Sequence, residues 1–391
     1  MSLCAALPCA ADAPEWEDPA VNSVNRLPPR TYAMPLASEK SALTDALEPE
    51  TPYRKSLNGT WKLSWAGRPQ DRVLGFEKPD FDDSDWFPIA VPSCVELSGF
   101  GAPGYVNWMY PHAIKWPRIL DRDTKKPDYN PVSSYRTTFT VPADWKGRRV
   151  ILRFDGVYSA YYVWVNGHKV GYAEDSKLPS EFDVTEYLNQ TTNYQLPTTN
   201  SLAVEVYRWC DGSYFEDQDM TRFSGIFRDV TLWAMPKDGI WDFTVKTSLS
   251  KDYSAATMAI DGIEGEWTAT LYDEKRKKVG ELNSSTSQPL NLSTVNLWSA
   301  EKPYLYTLVI RKGDDIRMRR VGFKEQKIVG NTFLVNGKPI KLKGVNRHET
   351  SPEGGRTVTL AEMERDIRLM KQHNIDTVRT SHYPDHRLWY W

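Results

Sequence analysis

Two short polar segments near the end of the chain carry side chains that can bind a hydroxyl-rich or anionic ligand. They are Asn346-Arg-His-Glu349 and Arg379-Thr-Ser-His-Tyr-Pro384, and each comes at the end of a predicted strand. Imidazole and guanidinium groups donate directed hydrogen bonds, so we expect His348 and His382 to contact a ligand. For the arginine that each segment contains, a second interpretation stays open, in which it ties strand ends together through ion pairs.

A third polar cluster, Glu216-Asp-Gln-Asp219, places three of its four residues as carboxylates in a predicted loop. Such groups repel one another unless a cation, an arginine or a ligand offsets their charge. The oxygen-rich composition suits a hard cation. The alternative is a solvated acidic loop whose carboxylates pair with Arg222 and Arg228, and both interpretations stay open.

A strand–helix–strand pattern positions the first two segments. The sequence predicts strands over Ile340–Val345 and Ile375–Thr380, joined by a helix that begins at Thr359 with a capping box completed by Glu362. This βαβ unit implies a parallel pair of strands. In a (β/α)8 barrel the carboxyl ends of the strands form the active site. We therefore expect both polar segments at a barrel mouth.

Alternating runs with turn signals between them extend over residues 53–236 and predict a β-sandwich of the jelly-roll type. Asn166-Gly167 marks a two-residue hairpin within it. A linker near Pro236–Gly239 leads to a second, immunoglobulin-like β-sandwich over residues 237–328. Residues 329–391 then hold another hairpin, at Asn336-Gly337, and the first βαβ unit of an incomplete TIM barrel. The predicted fold class is mainly β and multidomain.

The composition is that of a globular chain with several domains. The 391 residues include 49 basic and 51 acidic side chains, and the net charge of −2 argues against a nucleic-acid partner. No apolar run approaches the roughly 18 residues of a membrane helix, so no membrane partner is expected. The chain is rich in rings, with 15 tryptophans, 20 tyrosines and 13 phenylalanines. Most of them are expected in cores, and the remainder can stack on sugars.

Residues 1–52 are expected to form an N-terminal arm. The four cysteines fit no zinc, redox or disulfide pattern. Two of them, Cys4 and Cys9, lie in a short apolar segment that resembles the end of a signal peptide. With a signal remnant the protein would be periplasmic or secreted, and otherwise it would be cytoplasmic. Both possibilities stay open.

Several motifs, in family order over about residues 53–391, resemble glycoside hydrolase family 2 and, within it, the long β-galactosidases of the lac-operon type. The resemblance implies a jelly roll, an immunoglobulin-like domain and a TIM barrel, and retaining hydrolysis of terminal β-D-galactosides. The acidic cluster favours this activity over other activities of the family. The motifs are Gly59-Thr-Trp61, Asp80-Phe-Asp-Asp-Ser-Asp-Trp86, Val91-Pro-Ser93, Tyr105-Val-Asn-Trp-Met-Tyr-Pro111, Phe154-Asp-Gly-Val157, Trp164-Val-Asn-Gly167, Glu216-Asp-Gln-Asp-Met220, Ser224-Gly-Ile-Phe-Arg-Asp229, Gly344-Val-Asn-Arg-His-Glu349 and Val378-Arg-Thr-Ser-His-Tyr-Pro384.

The resemblance also implies roles for four residues at the substrate. Asp219 matches an aspartate that binds sodium and the galactose 6-hydroxyl, and Asn107 matches an asparagine that reaches the sugar from a sandwich loop. His348 and His382 match two histidines that hold galactose hydroxyls. Two departures concern packing, because many members have tryptophan at the position of Thr221 and asparagine at the position of residue 376, an aspartate here.

The resemblance places no catalytic residue in this chain. A retaining glycosidase needs two carboxyl groups about 5 Å apart, and in this family both are glutamates from barrel strands expected beyond Trp391. The magnesium ligands are expected there too. Glu349 matches no catalytic position of the family. We therefore expect the chain to be inactive alone, and the full-length protein to be a homo-oligomer.

Two other functions stay open as alternatives. The first is a non-catalytic glycan-binding protein that uses its β-sandwich and aromatic rings. The second is another hydrolase of the same family, such as a β-glucuronidase. The acidic cluster argues against the second, as does the lack of an evident basic motif for a sugar carboxylate in the barrel portion.

Overall fold

The computed structural model describes residues 13–107, 110, 112, 116–119, 129–189, 198–285 and 288–391. The possible signal segment with Cys4 and Cys9 lies outside these residues, and so does part of the motif Tyr105–Pro111. Within the described residues, no helix is long and apolar enough to span a membrane.

The first sandwich is a jelly roll built from two antiparallel sheets. Alternation of apolar and polar residues turns one face of each sheet inward, and the enclosed core contains large buried side chains such as Trp61, Tyr135 and Phe154. In spatial order, the larger sheet comprises Ser23–Val24, His168–Ala173, Ala160–Val165, Thr199–Tyr207, Val132–Thr140, Gly59–Ala66 and Phe87–Val91, and the smaller comprises Ser180–Asp183, Arg149–Phe154, Val230–Met235 and Arg54–Ser56.

The second sandwich is smaller and also antiparallel, with a core that includes Leu271, Leu308 and Phe323. One sheet contains Thr244–Leu249, Ala256–Asp261 and Leu290–Leu292, and the other contains Lys278–Asn283, Thr268–Tyr272, Tyr306–Lys312 and Asp315–Val321.

The N-terminal segment lies along both sandwiches. Trp16 stacks on Tyr207 of the first sandwich with ring centroids 5.0 Å apart, and Leu36 forms a β-bridge with Ile316 of the second. Its short helix, Glu39–Ala42, is capped by Ser38.

Short 3-10 turns lie at Glu15–Glu17, Pro69–Asp71, Val95–Ser98, Ala143–Trp145, Thr185–Tyr187 and Asp211–Tyr214.

The barrel segment, residues 326–391, follows the second sandwich. A meander of Gln326–Val329, Thr332–Val335 and Lys338–Pro339 precedes the parallel pair Gly344–Arg347 and Thr377–Thr380. The helix Leu360–Gln372 crosses between the parallel strands, and the helix Arg387–Tyr390 follows them. The parallel pair confirms the predicted βαβ unit.

The two Asn-Gly hairpins and the capped helix are confirmed. The residues of both Asn-Gly pairs have positive φ, between 50° and 82°, which matches the preference of two-residue hairpin turns for this dipeptide. Thr359 and Glu362 form the reciprocal capping box.

The strand predicted over Ile340–Val345 was misplaced. The observed strand begins at Gly344 and ends at Arg347. Ile340 instead donates its backbone N–H to Phe333 of the preceding meander at 3.1 Å, and the parallel ladder begins at Gly344 opposite Thr377.

Candidate active site at the barrel mouth

A two-stranded ribbon of the first sandwich carries Asn107 and Asp219. Gly104–Val106 pairs with Met220–Arg222 in antiparallel register, with Val106 opposite Met220. Asn107 and Asp219 therefore occupy the next position at the end of the ribbon, and both are exposed. The Tyr105 hydroxyl donates a hydrogen bond of 2.6 Å to Oδ1 of Asp219.

The protein itself satisfies two of the three carboxylates in the acidic cluster. Glu216 accepts hydrogen bonds from the backbone N–H and hydroxyl of Ser176. Asp217 forms a 2.6 Å ion pair with the buried Arg222. Asp219 is the exposed carboxylate of the cluster and so is the one open to a ligand. The interpretation that paired the loop with Arg222 is correct for one carboxylate.

The same interpretation is wrong for Arg228. This buried guanidinium instead pairs with Glu349 at the end of the first barrel strand. Glu349 also accepts the backbone N–H of His386. Burial raises the pKa of Glu349, but the Arg228 charge outweighs burial and lowers it. The contacts of Glu349 join the sandwich to the barrel segment.

His348 and His382 lie side by side at the ends of the parallel strands. The register pairs Arg347 with Thr380, so the residues that follow come to the same edge of the sheet. The two imidazole rings are nearly perpendicular, with centroids 5.5 Å apart. His348 is exposed and His382 is half-buried, so both can contact a ligand above the strand ends.

The arginines of the two segments act differently. Arg347 is buried and forms ion pairs of 3.0 Å with Asp366 and 2.8 Å with Asp385, which is the bracing role. Arg379 is exposed, and its Nη1 lies 2.7 Å from Nδ1 of His382. It therefore contacts the predicted ligand-binding histidine.

The ribbon and the strand ends face one another. Burial lowers the pKa of His348, and the charges of Arg356 and His382 lower it further, whereas the nearby Asp219 carboxylate raises it. Arg356 donates a 2.7 Å hydrogen bond to the backbone carbonyl of Thr221 on the ribbon. Asp219, His348 and His382 therefore border one region between the sandwich and the barrel segment. Asn107 lies on the ribbon beside Asp219.

Sequence reasoning missed Arg356 and Tyr383. The Arg356 guanidinium donates to the Tyr383 hydroxyl, which lies 3.3 Å from Nδ1 of His348. Tyr383 follows His382 directly, and this adjacency was an available signal. Arg356 lies in a turn after the first strand, and only the fold brings it to the ribbon.

Sequence reasoning also missed a buried group of metal-ligand type in the first sandwich. Glu174, Cys210 and Asp211 offer atoms that all lie within 4.8 Å of one another. Among the described residues, Oδ1 of Asp211 has no hydrogen-bond partner. Burial raises the pKa of Glu174 to about 8, and the neighbouring Asp211 carboxylate adds to this shift. Cys210 and Asp211 are adjacent, but Glu174 lies far from them in sequence, so spacing gave no signal.

Three family models match in order: "Glycosyl hydrolases family 2, sugar binding domain" over residues 54–236, "Glycosyl hydrolases family 2" over residues 226–324, and "Glycosyl hydrolases family 2, TIM barrel domain" over residues 326–391. The chain belongs to glycoside hydrolase family 2.

Curated relatives are named as β-galactosidases. The chain is 39% identical to that of Priestia megaterium over 96% of its own length and 39% identical to that of Pectobacterium atrosepticum, also over 96%. The aligned region spans 38% and 37% of these relatives. The chain thus spans less than two fifths of the curated relatives that it matches.

Solved structures show the same fold. A β-glucuronidase from an uncultured Clostridium species aligns with a TM-score of 0.66 at 25% identity, over 88% of this chain and 58% of its own. A Ruminococcus gnavus β-glucuronidase, solved with C6-substituted uronic isofagomine, aligns with a TM-score of 0.69 at 24% identity, over 87% and 57%.

Proposed function

We propose that this chain provides the galactose-binding side of a β-galactosidase that hydrolyses terminal β-D-galactosides with retention. The observation that carries the proposal is the meeting of Asp219 from the sandwich with His348 and His382 from the barrel strands. A carboxylate accepts hydrogen bonds from sugar hydroxyls, and neutral imidazoles can donate to them. Asn107, beside Asp219 on the ribbon, adds an amide to the same side.

Asp219 is also the proposed sodium ligand. Its carboxylate is exposed and accepts one hydrogen bond from Tyr105, which leaves oxygen lone pairs for a hard cation. Bound sodium would supply a positive charge next to a sugar hydroxyl. Magnesium is proposed for the whole enzyme only, because the resemblance places its ligands outside this chain.

The catalytic pair of carboxylates is not proposed among the residues of this chain. Glu349, the carboxylate nearest in sequence to a site histidine, is held by Arg228 and His386. A retaining glycosidase needs an acid and a nucleophile about 5 Å apart. We therefore expect the purified chain to bind a galactoside without turning over a nitrophenyl β-galactoside. Turnover that copurifies with the chain and is lost in an Asp219→Asn variant would contradict this.

A β-glucuronidase is the second candidate, because the solved structures reported above carry that name. Their likeness supports the fold, whereas the 39% identity to named β-galactosidases supports the galactoside. The match of the barrel domain also favours an enzyme over a glycan-binding protein. Comparing the binding of a galactoside, a glucoside and a glucuronide to the chain distinguishes the two substrate classes.

The test measures binding of methyl β-D-galactoside to this chain by ligand-observed NMR, once in sodium buffer and once in potassium buffer. Methyl β-D-glucoside and methyl β-D-glucuronide serve as competitors. We expect a dissociation constant in the millimolar range, roughly −4 kcal/mol, with preference for the galactoside and for sodium. Tighter binding of the glucuronide would reject the proposal in favour of the second candidate.

A matched pair of variants ties the binding to the site. Asp219→Asn should weaken galactoside binding about tenfold or more, because a hydrogen bond to a charged group is worth about 1.5–3 kcal/mol. Asp144→Asn changes an exposed carboxylate elsewhere in the same sandwich and should leave binding unchanged. Equal binding by both variants would remove Asp219 from the site.

A further inference from the structure

We propose that two arginines fix the tautomers of His348 and His382, so that each imidazole presents an Nε2–H donor to the ligand. In this proposal Arg379 acts directly on His382, and Arg356 acts on His348 through Tyr383. Tyr383 and Arg356 are then positioning residues. The inference rests on the proposed function only for the identity of the ligand as a sugar.

The tautomer of His382 depends directly on the guanidinium of Arg379. Nη1 of Arg379 lies 2.7 Å from Nδ1 of His382. A guanidinium is a donor and stays protonated in proteins. Nδ1 of His382 must therefore accept this hydrogen bond, and its ring proton lies on Nε2. A proton on Nδ1 would place two N–H groups against each other, so the contact disfavours the Nδ1–H tautomer.

The tautomer of His348 depends on Arg356 through the hydroxyl of Tyr383. The Arg356 guanidinium donates to the hydroxyl oxygen of Tyr383, which leaves the hydroxyl hydrogen to point elsewhere. Nδ1 of His348 lies 3.3 Å from that oxygen and is the acceptor in reach. The contact is long for an O–H donor, and we assign the hydroxyl as its donor because the arginine already occupies one acceptor site of the oxygen. The ring proton of His348 then also lies on Nε2.

The Tyr383 ring is held firmly enough to transmit this constraint. Its side chain is buried. The Arg356 guanidinium lies 4.5 Å from its ring centroid. A cation over a ring face attracts it electrostatically. Burial lowers the pKa of His348, and the Arg356 charge lowers it further.

Arg356 also connects the two halves of the site. The same guanidinium that contacts Tyr383 donates to the Thr221 carbonyl at 2.7 Å, two residues after Asp219. One side chain therefore sets both the orientation of His348 and the position of the ribbon that carries the carboxylate. Sugar hydroxyls would then meet an acceptor from the sandwich and two N–H donors from the barrel segment.

The test reads the histidine tautomers in this chain by long-range ¹H–¹⁵N NMR with ¹⁵N-labelled histidine. The sequence has 6 histidines, so the ring signals can be assigned by single substitutions. We expect His348 and His382 to carry the ring proton of the neutral form on Nε2, with the Nδ1 shift of His382 typical of a nitrogen that accepts a hydrogen bond. A dominant Nδ1–H form at either histidine would overturn the proposal for that residue.

Variants then separate positioning from general stability. Tyr383→Phe should move the Nδ1 signal of His348 toward that of a nitrogen without a hydrogen bond and raise its pKa, while His382 stays unchanged. Arg379→Met should move the Nδ1 signal of His382 toward that of a nitrogen without a hydrogen bond and leave His348 unchanged. Tyr304→Phe, which removes a buried hydroxyl in the second sandwich, should change neither histidine. An unchanged His348 in folded Tyr383→Phe would overturn the role of Tyr383.

The result is independent of whether the ligand is a galactoside. Normal tautomers with no galactoside binding would leave this inference intact and reject the proposed function. Galactoside binding with freely exchanging tautomers would do the opposite. If Tyr383→Phe unfolds the barrel segment, Arg356→Met offers a second way to remove the donor that orients the hydroxyl, with the same expected shift at His348.

Discussion

The first sandwich and the barrel segment are ordered by different forces. The sandwich encloses its own core, in which residues such as Leu152, Phe182 and Val204 have no solvent exposure. The barrel segment instead exposes apolar side chains on its strands and helix, including Ile328, which is 74% exposed. Its buried side chains mostly face the sandwich, as Tyr383 does within the aromatic cluster around Trp209 and Phe227.

Ion pairs supply much of the connection between the two regions. Arg228 of the sandwich holds Glu349, while Arg387 of the barrel segment holds Asp155 of the sandwich and Glu48 of the N-terminal segment. Charged pairs depend on geometry more than apolar contacts do. The candidate site lies between the regions, so its geometry depends on these charged contacts.

The largest expected effect comes from removing one partner of the buried pair between the regions. Arg228→Met leaves the Glu349 carboxylate buried without its cation, which typically costs about 3–5 kcal/mol. We expect fast amide exchange over residues 344–380 and an almost unchanged sandwich. Hydrogen exchange with mass spectrometry measures both regions at once.

Two further variants test this interpretation of Arg228. The double variant Arg228→Met with Glu349→Gln removes both charges and should recover much of the protection. Arg149→Met breaks a pair with Asp183 in which both side chains are about one-third exposed (31% and 33%), and such pairs contribute at most about 1 kcal/mol. Equal loss of protection in both regions would show that they unfold as one unit.

The next largest effect is expected in acid, where the contact between Glu48 of the N-terminal segment and Arg387 of the barrel segment should weaken. Burial raises the pKa of Glu48, but Arg387 and the Tyr32 hydroxyl outweigh burial and lower it to about 2. A carboxyl with a lowered folded-state pKa stabilises fully above its unfolded value of about 4.3. That stabilisation is lost as the pH falls from there toward 2.

Exchange measured between pH 5 and 2.5, corrected for the intrinsic rate, checks this prediction. The segment after residue 380 should lose protection before the strands of the sandwich do. Glu48→Gln should remove most of the pH dependence that this contact contributes. A transition in which both regions lose protection at the same pH would contradict the separation.

Much of the fold was predictable from local signals. The Asn-Gly turns and the Thr359 capping box act over two to four residues, and alternation identifies strands because one face is buried. The start of the first barrel strand was misjudged because Ile340 bonds to Phe333 of the preceding meander instead. A run of residues that can form a strand does not show which neighbour each of them pairs with.

The site was predictable where a residue follows a strand or matches a family motif. His348, His382 and Asp219 stood out in that way. The partner of Arg228 did not, because Glu349 lies 121 residues later and other carboxylates stand closer in sequence. Arg356 was missed for the same reason, since only docking of the two regions brings it to the Thr221 carbonyl.

A smaller effect is expected at the N-cap of the barrel helix. The Thr359 hydroxyl accepts the Glu362 backbone N–H, and Glu362 bonds back to Thr359. Thr359→Ala should cost about 1 kcal/mol and increase exchange in the first turn of the helix Leu360–Gln372. The matched variant Ser38→Ala removes an equivalent cap from the short helix Glu39–Ala42, so its effect should stay within the N-terminal segment. Spread of either effect into the other region would argue against their independence.

The smallest effect on stability is expected at the histidines of the candidate site, and it distinguishes ligand binding from bracing. His348 is exposed and His382 is half-buried, so His348→Ala and His382→Ala remove little buried surface and should change unfolding free energy by only about 0.5 kcal/mol. Each should nevertheless weaken galactoside binding about threefold to tenfold, because one net hydrogen bond contributes about 1 kcal/mol. His373→Ala, an exposed histidine at the end of the barrel helix, is the control for both measurements. If instead the site variants lower the melting temperature and bind galactoside normally, the histidines brace the strand ends, and the charged contacts between the regions serve stability alone.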